Sequence, residues 1–473
     1  MYTIYLELSQ DTGASHKFYE VKVVDTVLTI RYGRIGTNGT ISTKTFATEE
    51  LAKKEADKKA KAKKRKGYEE AVIGVRKKRA ITRRSISSSR SSAKKAPVLW
   101  KFKSNSSAFG IYIDKDHCWV GNEAGSVYKL NHKGEVLNQY QLPDGVKCIM
   151  ADNDWIYVGC DDGNVYDLTG KLPRKAYEIN EEVDIYWLDI NNSLLGVSDS
   201  NGGITVINYE DEELWRKKSN GSSGWMVRCD DVGRVYHGHS GGVSCYYGWN
   251  GDNIWNQKTR GGVLFGWRTD ETVLAGTSNS WLELFNQEGK KLIEMKGDNA
   301  FYSCAAAPNN DFIFGGDNSS SIYCYNKEGK RLWKLATTCG SAFSMQYFEE
   351  KIYVVTTDGS LACIDASEEA IKNAELGQVP EYVDIKAPKK VKVVSSTILE
   401  TVPAEMNGVT LKCIKEGGKL RVKVITEGYH NDWNVQFPKN LRKENTVYVV
   451  SEVRESAQSG FYRVFGDIYI KNS

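Results

Sequence analysis

Two groups of residues have the types and spacing to do chemistry on a polyanion. Arg31-Tyr32-Gly33-Arg34 alternates cations with an aromatic ring. An aromatic ring offers a face for stacking, and guanidinium groups pair with anions. Downstream, Lys63-Lys64-Arg65-Lys66 and Lys77-Lys78-Arg79 stand in a stretch, residues 53–95, that holds 18 Lys+Arg against Glu55, Asp57, Glu69 and Glu70. Such a density releases counterions on meeting a nucleic acid, without reading its sequence and with strong salt dependence. A third pair, His237 and His239, lies two apart in a strand-like run and so shares a face. Two imidazoles are half of a zinc site, but no third ligand stands near them in sequence, which favours a core role. No catalytic set accompanies these groups: the sequence has no P-loop, no nucleophile elbow and no zinc-hydrolase helix. Gly33-Arg34-Ile35-Gly36 is too short for a nucleotide loop and no helix follows it. The expectation is a nonenzymatic protein with no cofactor and no metal.

The elements that must position Tyr32 and Arg34 read as a compact α+β domain, residues 1–74. Tyr2 to Leu8, Lys17 to Val24, Thr26 to Tyr32 and Gly39 to Phe46 are strand-like. Thr48 can cap a helix with Glu49 and Glu50 in its favourable first turn, running through Ala52, Ala56 and Ala60 to about Lys66, where Gly67 ends it. With these elements in place, Arg31-Tyr32-Gly33-Arg34-Ile35-Gly36 resembles the signature of the WGR domain. That domain is named for a Trp-Gly-Arg core and is known from poly(ADP-ribose) polymerases and from bacterial proteins related to a molybdate-metabolism regulator. Phe46, the lysine-rich helix and Lys66-Gly67-Tyr68 match the family's downstream pattern. The departure is Tyr32, where the family has tryptophan. The resemblance implies contact with nucleic acid, above all at DNA ends or breaks. Tyr32 would take the stacking role with less area, and Arg34 would serve DNA or a contact between domains. Both residues also read as sheet-surface positions that only define the fold. The polymerases carry a separate catalytic domain longer than the segment 391–473, so ADP-ribosylation is not expected.

Residues 75–96 form a basic Ser/Arg/Lys linker, including Ser85-Ile-Ser-Ser-Ser-Arg-Ser-Ser92. Its composition cannot build a core. It could tether DNA, act as a nuclear import signal or serve as a spacer, and phosphate on its serines would weaken a tether. Residues 97–366 repeat with a period near forty, the blade period of a β-propeller. Copies start near Cys118, Trp155, Leu194, Val235, Val273, Ile313 and Ile352, which predicts seven blades. Six of them end a strand in glycine (Gly121, Gly159, Gly196, Gly238, Gly276, Gly315), and the seventh has Val355. Outer strands carry Leu-Trp or a relative, as at Trp215, Trp255 and Trp333. The seventh copy lacks one, and Val98-Leu99-Trp100-Lys101-Phe102 stands before the first, so the strand at 98–103 is expected to close the ring. The repeats resemble those of PQQ-type propellers more than WD repeats, without the export signal that such enzymes carry. Residues 367–390 read as a connector with a short helix, and residues 391–473 as a small β-rich domain. In the latter, Tyr429, His430, Trp433 and Phe437 stand near Lys439, Arg442 and Lys443. Aromatics among bases can bind single strands, but a mini-core with a solvated rim is the favoured reading.

The fold class is therefore multidomain and mainly β: a small α+β WGR-like domain, a seven-bladed β-propeller and a small C-terminal β-rich domain. Its charges are segregated. Residues 1–97 carry a net +13, residues 98–384 a net −15 and residues 385–473 a net +6. Such a pattern favours nucleic acid at the ends over the propeller walls, and the opposed charges could also draw the ends onto the ring. The ten cysteines stand singly with no Cys-x-x-Cys, as small core residues. No secretory start and no membrane-length apolar run are present, which predicts a soluble, intracellular protein. It would be cytoplasmic or nucleoid-associated in a bacterium and nuclear in a eukaryote. The expected partners are DNA, with RNA as an alternative, and a protein on the propeller. The competing reading is a scaffold or small-ligand sensor whose N-terminal domain makes protein contacts only.

Overall fold

Period-two and period-3.6 patterns meet in the first eighty residues. The computed structural model describes residues 2–9, 16–34, 40–71, 91–191, 193–388 and 408–471. Its chain divides into two compact units, 1–85 and 86–473. In the first, β1 (Tyr2–Ser9), β2 (His16–Val24), β3 (Val27–Arg34) and β4 (Thr40–Thr45) make an antiparallel meander, and β5 (Glu69–Glu70) adds to β1. The helix α1 (Glu49–Lys64) is capped by Thr48 Oγ1, which accepts from Leu51 N–H at 3.3 Å. Its buried residues are Ala52, Ala56 and Ala60, one small side chain per turn. They let the helix approach closely and pack on Leu6, Tyr19, Val21 and Val23. Gly67 leaves the helix at φ +87°, a conformation an L side chain resists.

The second unit begins with the propeller. Six four-stranded sheets and a seventh sheet of five strands follow in order around it. Each forty-residue copy supplies one sheet, but its innermost strand precedes the strand-turn-strand mark by which the copy is recognised. Two glycine marks of the repeat have distinct causes. The strand-end glycines face the next blade: a Cβ on Gly121 would lie 2.3 Å from Val146, and one on Gly159 2.6 Å from Ile185. Where Val355 replaces this glycine, the facing position of blade 1 shrinks to Ala108, and both are buried in one cluster. The turn glycines of the Gly-Lys-x-Leu-Trp type sit at positive φ and receive the preceding blade's tryptophan. Gly251 lies under Trp215, Gly289 under Trp255 and Gly134 under Trp100. Those indoles also donate across the blade boundary, Trp215 to Gly248 O at 2.7 Å, Trp255 to Gln287 O at 2.9 Å and Trp100 to His132 O at 2.9 Å. Each such bond is worth about 1 kcal/mol.

Trp100 completes the series because Val98–Lys103 is the fourth strand of the last sheet, antiparallel to Ser360–Asp365. The ring is thus closed by the predicted strand, which removes its open edge. Within the expected connector, a helix α2 (Glu368–Glu375) forms, and Val383–Lys386 then adds a fifth strand parallel to 98–103. On the linker side, Lys95 bridges to Ala336 of the sixth sheet. At the axis, each blade's inner strand or its entry contributes one residue: Phe109, Lys147, Tyr186, Trp225, Leu264, Tyr302 and Phe343. The five aromatics form one cluster with Leu264 against it. Phe109 stacks on Phe343 at 4.0 Å and Tyr186 on Trp225 at 3.7 Å. Lys147, fully buried, pairs with Asp161 and lies 5.5 Å from the Tyr186 ring centre. All ten cysteines are free and buried.

Residues 409–470 close into a five-stranded barrel. Strands Val409–Glu416, Lys419–Val424, Asn434–Gln436, Phe461–Ile470 and Val447–Glu455 are neighbours in that order, and the third and last in sequence run parallel. A Greek-key barrel of five strands is the arrangement of OB-type domains. The barrel docks on the second and third blades. Trp155 Nε1 donates to Val464 O at 2.7 Å, and Arg174 donates to Gly466 O at 2.7 Å. Arg463 reaches Asp152 at 2.5 Å and also the Tyr157 hydroxyl, with its guanidinium 4.2 Å from the Trp155 ring centre. Arg454 pairs with Asp154, Arg421 with Glu210 and Lys419 with Glu212. The segregated charges do draw this end onto the ring.

Candidate nucleic-acid interface

The register of β2 and β3 builds the site. Lys17 is paired with Arg34, and Tyr19 with Tyr32, so the two pairs are next but one along the ladder. Tyr32 is 43% exposed while Tyr19, 6.3 Å away between ring centres, is buried. An exposed ring is therefore backed by a rigid one. The last turn of α1 lies over the same ladder: Lys63 Nζ is 4.5 Å from the Tyr19 ring centre and 5.2 Å from that of Tyr68. Partial burial, then Lys66 and Lys17, hold the Lys63 ammonium below its ordinary lysine range. Like charges gather here with no ion pair to Lys63 or Lys66 among the described residues. An anion bound beside them would offset the repulsion.

The expected site residues divide accordingly. Tyr32, Lys63 and Lys66 come together by contact or by charge. Lys64 instead pairs with Glu70 on the exposed surface, a bond of small worth that an incoming anion can exchange. Arg65 and Lys66 are exposed and have no ion pair among the described residues. The backbone of Arg34 is described, and its pairing with Lys17 places it at the end of the ladder. Lys77, Lys78 and Arg79 lie outside the described residues. Arg31 turns to structure: its Nε donates to Glu20 at 2.6 Å and its guanidinium covers Phe18 at 4.8 Å, itself stacked on Tyr5. Lys17, Tyr19 and Tyr68 stand beside the expected residues and were not among them. The signal that could have found them is the alternation Lys17-x-Tyr19 set against Tyr32-x-Arg34.

Two other candidates resolve differently. In the barrel, Trp433 and Tyr429 pack on Tyr462, and Phe437 packs on Tyr448. Arg442 donates to Phe437 O and to Glu210 O, each at 2.8 Å. The loop aromatics are thus a mini-core, and its nearest arginine is a clasp to the propeller. His237 and His239 are both buried, with ring centres 5.3 Å apart. His239 Nδ1 accepts from Gly241 N–H at 3.0 Å. Burial pushes the His237 imidazole down to about 3, so it stays neutral at ordinary pH. Among the described residues no carboxylate or thiol joins the pair as a third ligand; the one such cluster is Asp114, Asp116 and His117 in a turn. No helix among the described residues is long and apolar enough to cross a membrane.

Comparison with known proteins fits this division. No curated protein sequence matches the chain. The solved structure of the WD40 beta propeller domain of Doa1 is similar to it at 12% identity, with a TM-score of 0.52, covering 59% of this chain and 99% of that one. At that identity the likeness is one of fold. Residues 2–75 match the family model of the WGR domain. The chain therefore carries an N-terminal WGR domain, followed by a β-propeller.

Proposed function

We propose that the protein is a nonenzymatic adaptor that holds nucleic acid, DNA in the first instance, on its WGR domain while the propeller receives a protein partner. The observation that carries this reading is the exposed Tyr32 ring backed by Tyr19, beside cations that form no ion pair among the described residues. Tyr32 stacks on a terminal base pair or an unpaired base. Lys63, Lys66 and Lys17 hold the adjoining phosphates, and Arg34 and the linker bases extend the track. A flat ring at the end of a basic track favours a strand end or break over continuous duplex, because only there is a base face open.

The test uses the full chain with blunt, nicked and covalently closed circular duplexes at two salt concentrations. The expected result is preference for the first two, steep weakening with salt, and loss of the preference in Tyr32→Ala with unfolding temperature unchanged. Equal binding to all three, untouched by Tyr32→Ala, would remove the end-binding role. Absence of binding at low salt would remove the nucleic-acid reading and leave a protein scaffold.

A further inference from the structure

The propeller axis is blocked at one level by the aromatic collar and open beyond it. Further along the inner strands, toward their C-terminal ends, a cavity of about 200 Å³ remains. Its walls include Tyr112, Trp187, Phe265, Trp267 and Met345. Arg228 also lines it, only 5% exposed, with its guanidinium 5.1 Å from the Trp187 ring centre and 5.3 Å from that of Trp267. Nε and Nη2 of Arg228 donate to the same carbonyl, Gly266 O, at 3.1 and 2.7 Å. Among the described residues no carboxylate lies within ion-pair distance of it. Lys147, the other buried cation near the axis, is paired with Asp161, whereas Lys101 in the last sheet is held by Thr338 at 2.7 Å with no ion pair among the described residues. Arg228 is thus a buried charge that Asp189 compensates through space rather than by a salt bridge, and its Nη1 makes no hydrogen bond among the described residues.

A second donor in the same wall is also unsatisfied. The indole N–H of Trp187, 4% exposed, has no acceptor among the described residues. Arg268 adds a second cation at the rim, held by Asp231 at 3.5 Å. The acid of the wall, Asp189, is engaged by Cys229 N–H at 2.7 Å. The cavity therefore presents N–H donors without acceptors, framed by aromatic faces, with its two arginines balanced by Asp189 and Asp231. We propose that it is a binding site for a small organic carboxylate with a flat, apolar body. The carboxylate would accept from Arg228 and the Trp187 N–H while the body lies between Trp267, Phe265 and Met345. A multiply charged anion such as phosphate suits it less, because Asp189 stands in the wall and the ring as a whole is acidic. Size agrees: about 150 Å³ of apolar cavity already takes benzene. This proposal is independent of the WGR domain and of its nucleic-acid reading.

The experiment titrates the full-length protein with benzoate, with benzamide as its neutral counterpart and with inorganic phosphate, following tryptophan fluorescence and heat of binding. Benzoate should saturate the signal, while benzamide and phosphate bind at least about tenfold more weakly, as loss of a charge-assisted hydrogen bond requires. Arg228→Met should abolish benzoate binding, and it should also lower the unfolding temperature, since it leaves Gly266 O without its donors and Asp189 without its nearest cation. Trp187→Phe should weaken it in the same direction and gives an independent reading if the first variant fails to fold. Benzoate binding that matches benzamide, or that survives both substitutions, would overturn the proposal. So would the absence of saturable binding to the wild-type protein.

Discussion

Both ends of the chain are basic, yet their cations face different things. In the C-terminal barrel they face carboxylates: Lys419 meets Glu212, Arg421 meets Glu210, Arg454 meets Asp154 and Arg463 meets Asp152. The acids lift Lys419, through Glu212, above the ordinary lysine range, and Arg463 is likewise raised, by Tyr157 and Asp152 against its burial. In the WGR domain the sign is opposite, and Lys63 is lowered by burial and by Lys66 and Lys17. Net charge of the same sign thus conceals cations paired across the docking face at one end and, at the other, a group around Lys63 that forms no ion pair among the described residues. OB-type barrels use the face of their second and third strands for oligonucleotides. Here Lys419 and Arg421 of the second strand are already engaged by the propeller, so these two cations serve docking.

The largest effect expected from breaking this contrast is at Arg463. Arg463→Ala leaves Asp152 and the Tyr157 hydroxyl without their partner and uncovers Trp155. The docked barrel should lose about 2–4 kcal/mol, seen as early protease cleavage between barrel and ring. DNA affinity should not change. Next comes Tyr32→Ala, which should cost about 1–3 kcal/mol of affinity for ends and leave the barrel docked, measured by competition with closed circles. Lys63→Gln with Lys66→Gln should reduce the slope of log affinity against log salt by about 0.9 for each phosphate no longer neutralised, whereas Lys419→Gln with Arg421→Gln should leave the slope unchanged. Alkaline buffer should weaken binding earlier than an ordinary lysine predicts, because Lys63 gives up its proton first.

The smallest effect concerns Asp211, which accepts from Lys439 N–H at 2.7 Å between ring and barrel. Burial raises its carboxyl to about 6. A raised carboxyl favours the folded state below its unfolded value near 3.8, and that contribution is lost as pH rises through 6. Asp211→Asn, compatible with φ +59°, should therefore steady the docked barrel at neutral pH by about 1 kcal/mol after solvent screening. It should also remove the part of the pH dependence between 4 and 6 that Asp211 supplies, read from unfolding temperatures across that range.

Local chemistry was legible in the sequence and register was not. The helix followed from Thr48 and the alanines at every fourth position, and ring closure from an outer strand missing at one end and present at the other. Tyr32 was visible through its motif, but Lys17 and Tyr19 join it only through strand pairing, which a one-residue slip would undo. Lys64 could not be told from Lys63 until the chain turned back and brought Glu70 to it. The axial collar was invisible because its seven positions carry aromatic, aliphatic and basic residues alike. What they share is a place in the strand. Docking of the barrel joins segments some 300 residues apart, as Arg454 and Asp154 do, and complementary total charge was its one trace.

Which basic end touches nucleic acid is the central question, and lysine reactivity toward an amine-specific reagent measures it directly. Mass spectrometry of the full chain, with and without a short blunt duplex, compares the two ends in one sample. Duplex should protect Lys17, Lys63 and Lys66 and leave Lys419 and Lys423 as reactive as before. Protection of Lys419 and Lys423 with the WGR lysines unchanged would contradict the assignment of nucleic-acid binding to the N-terminal domain.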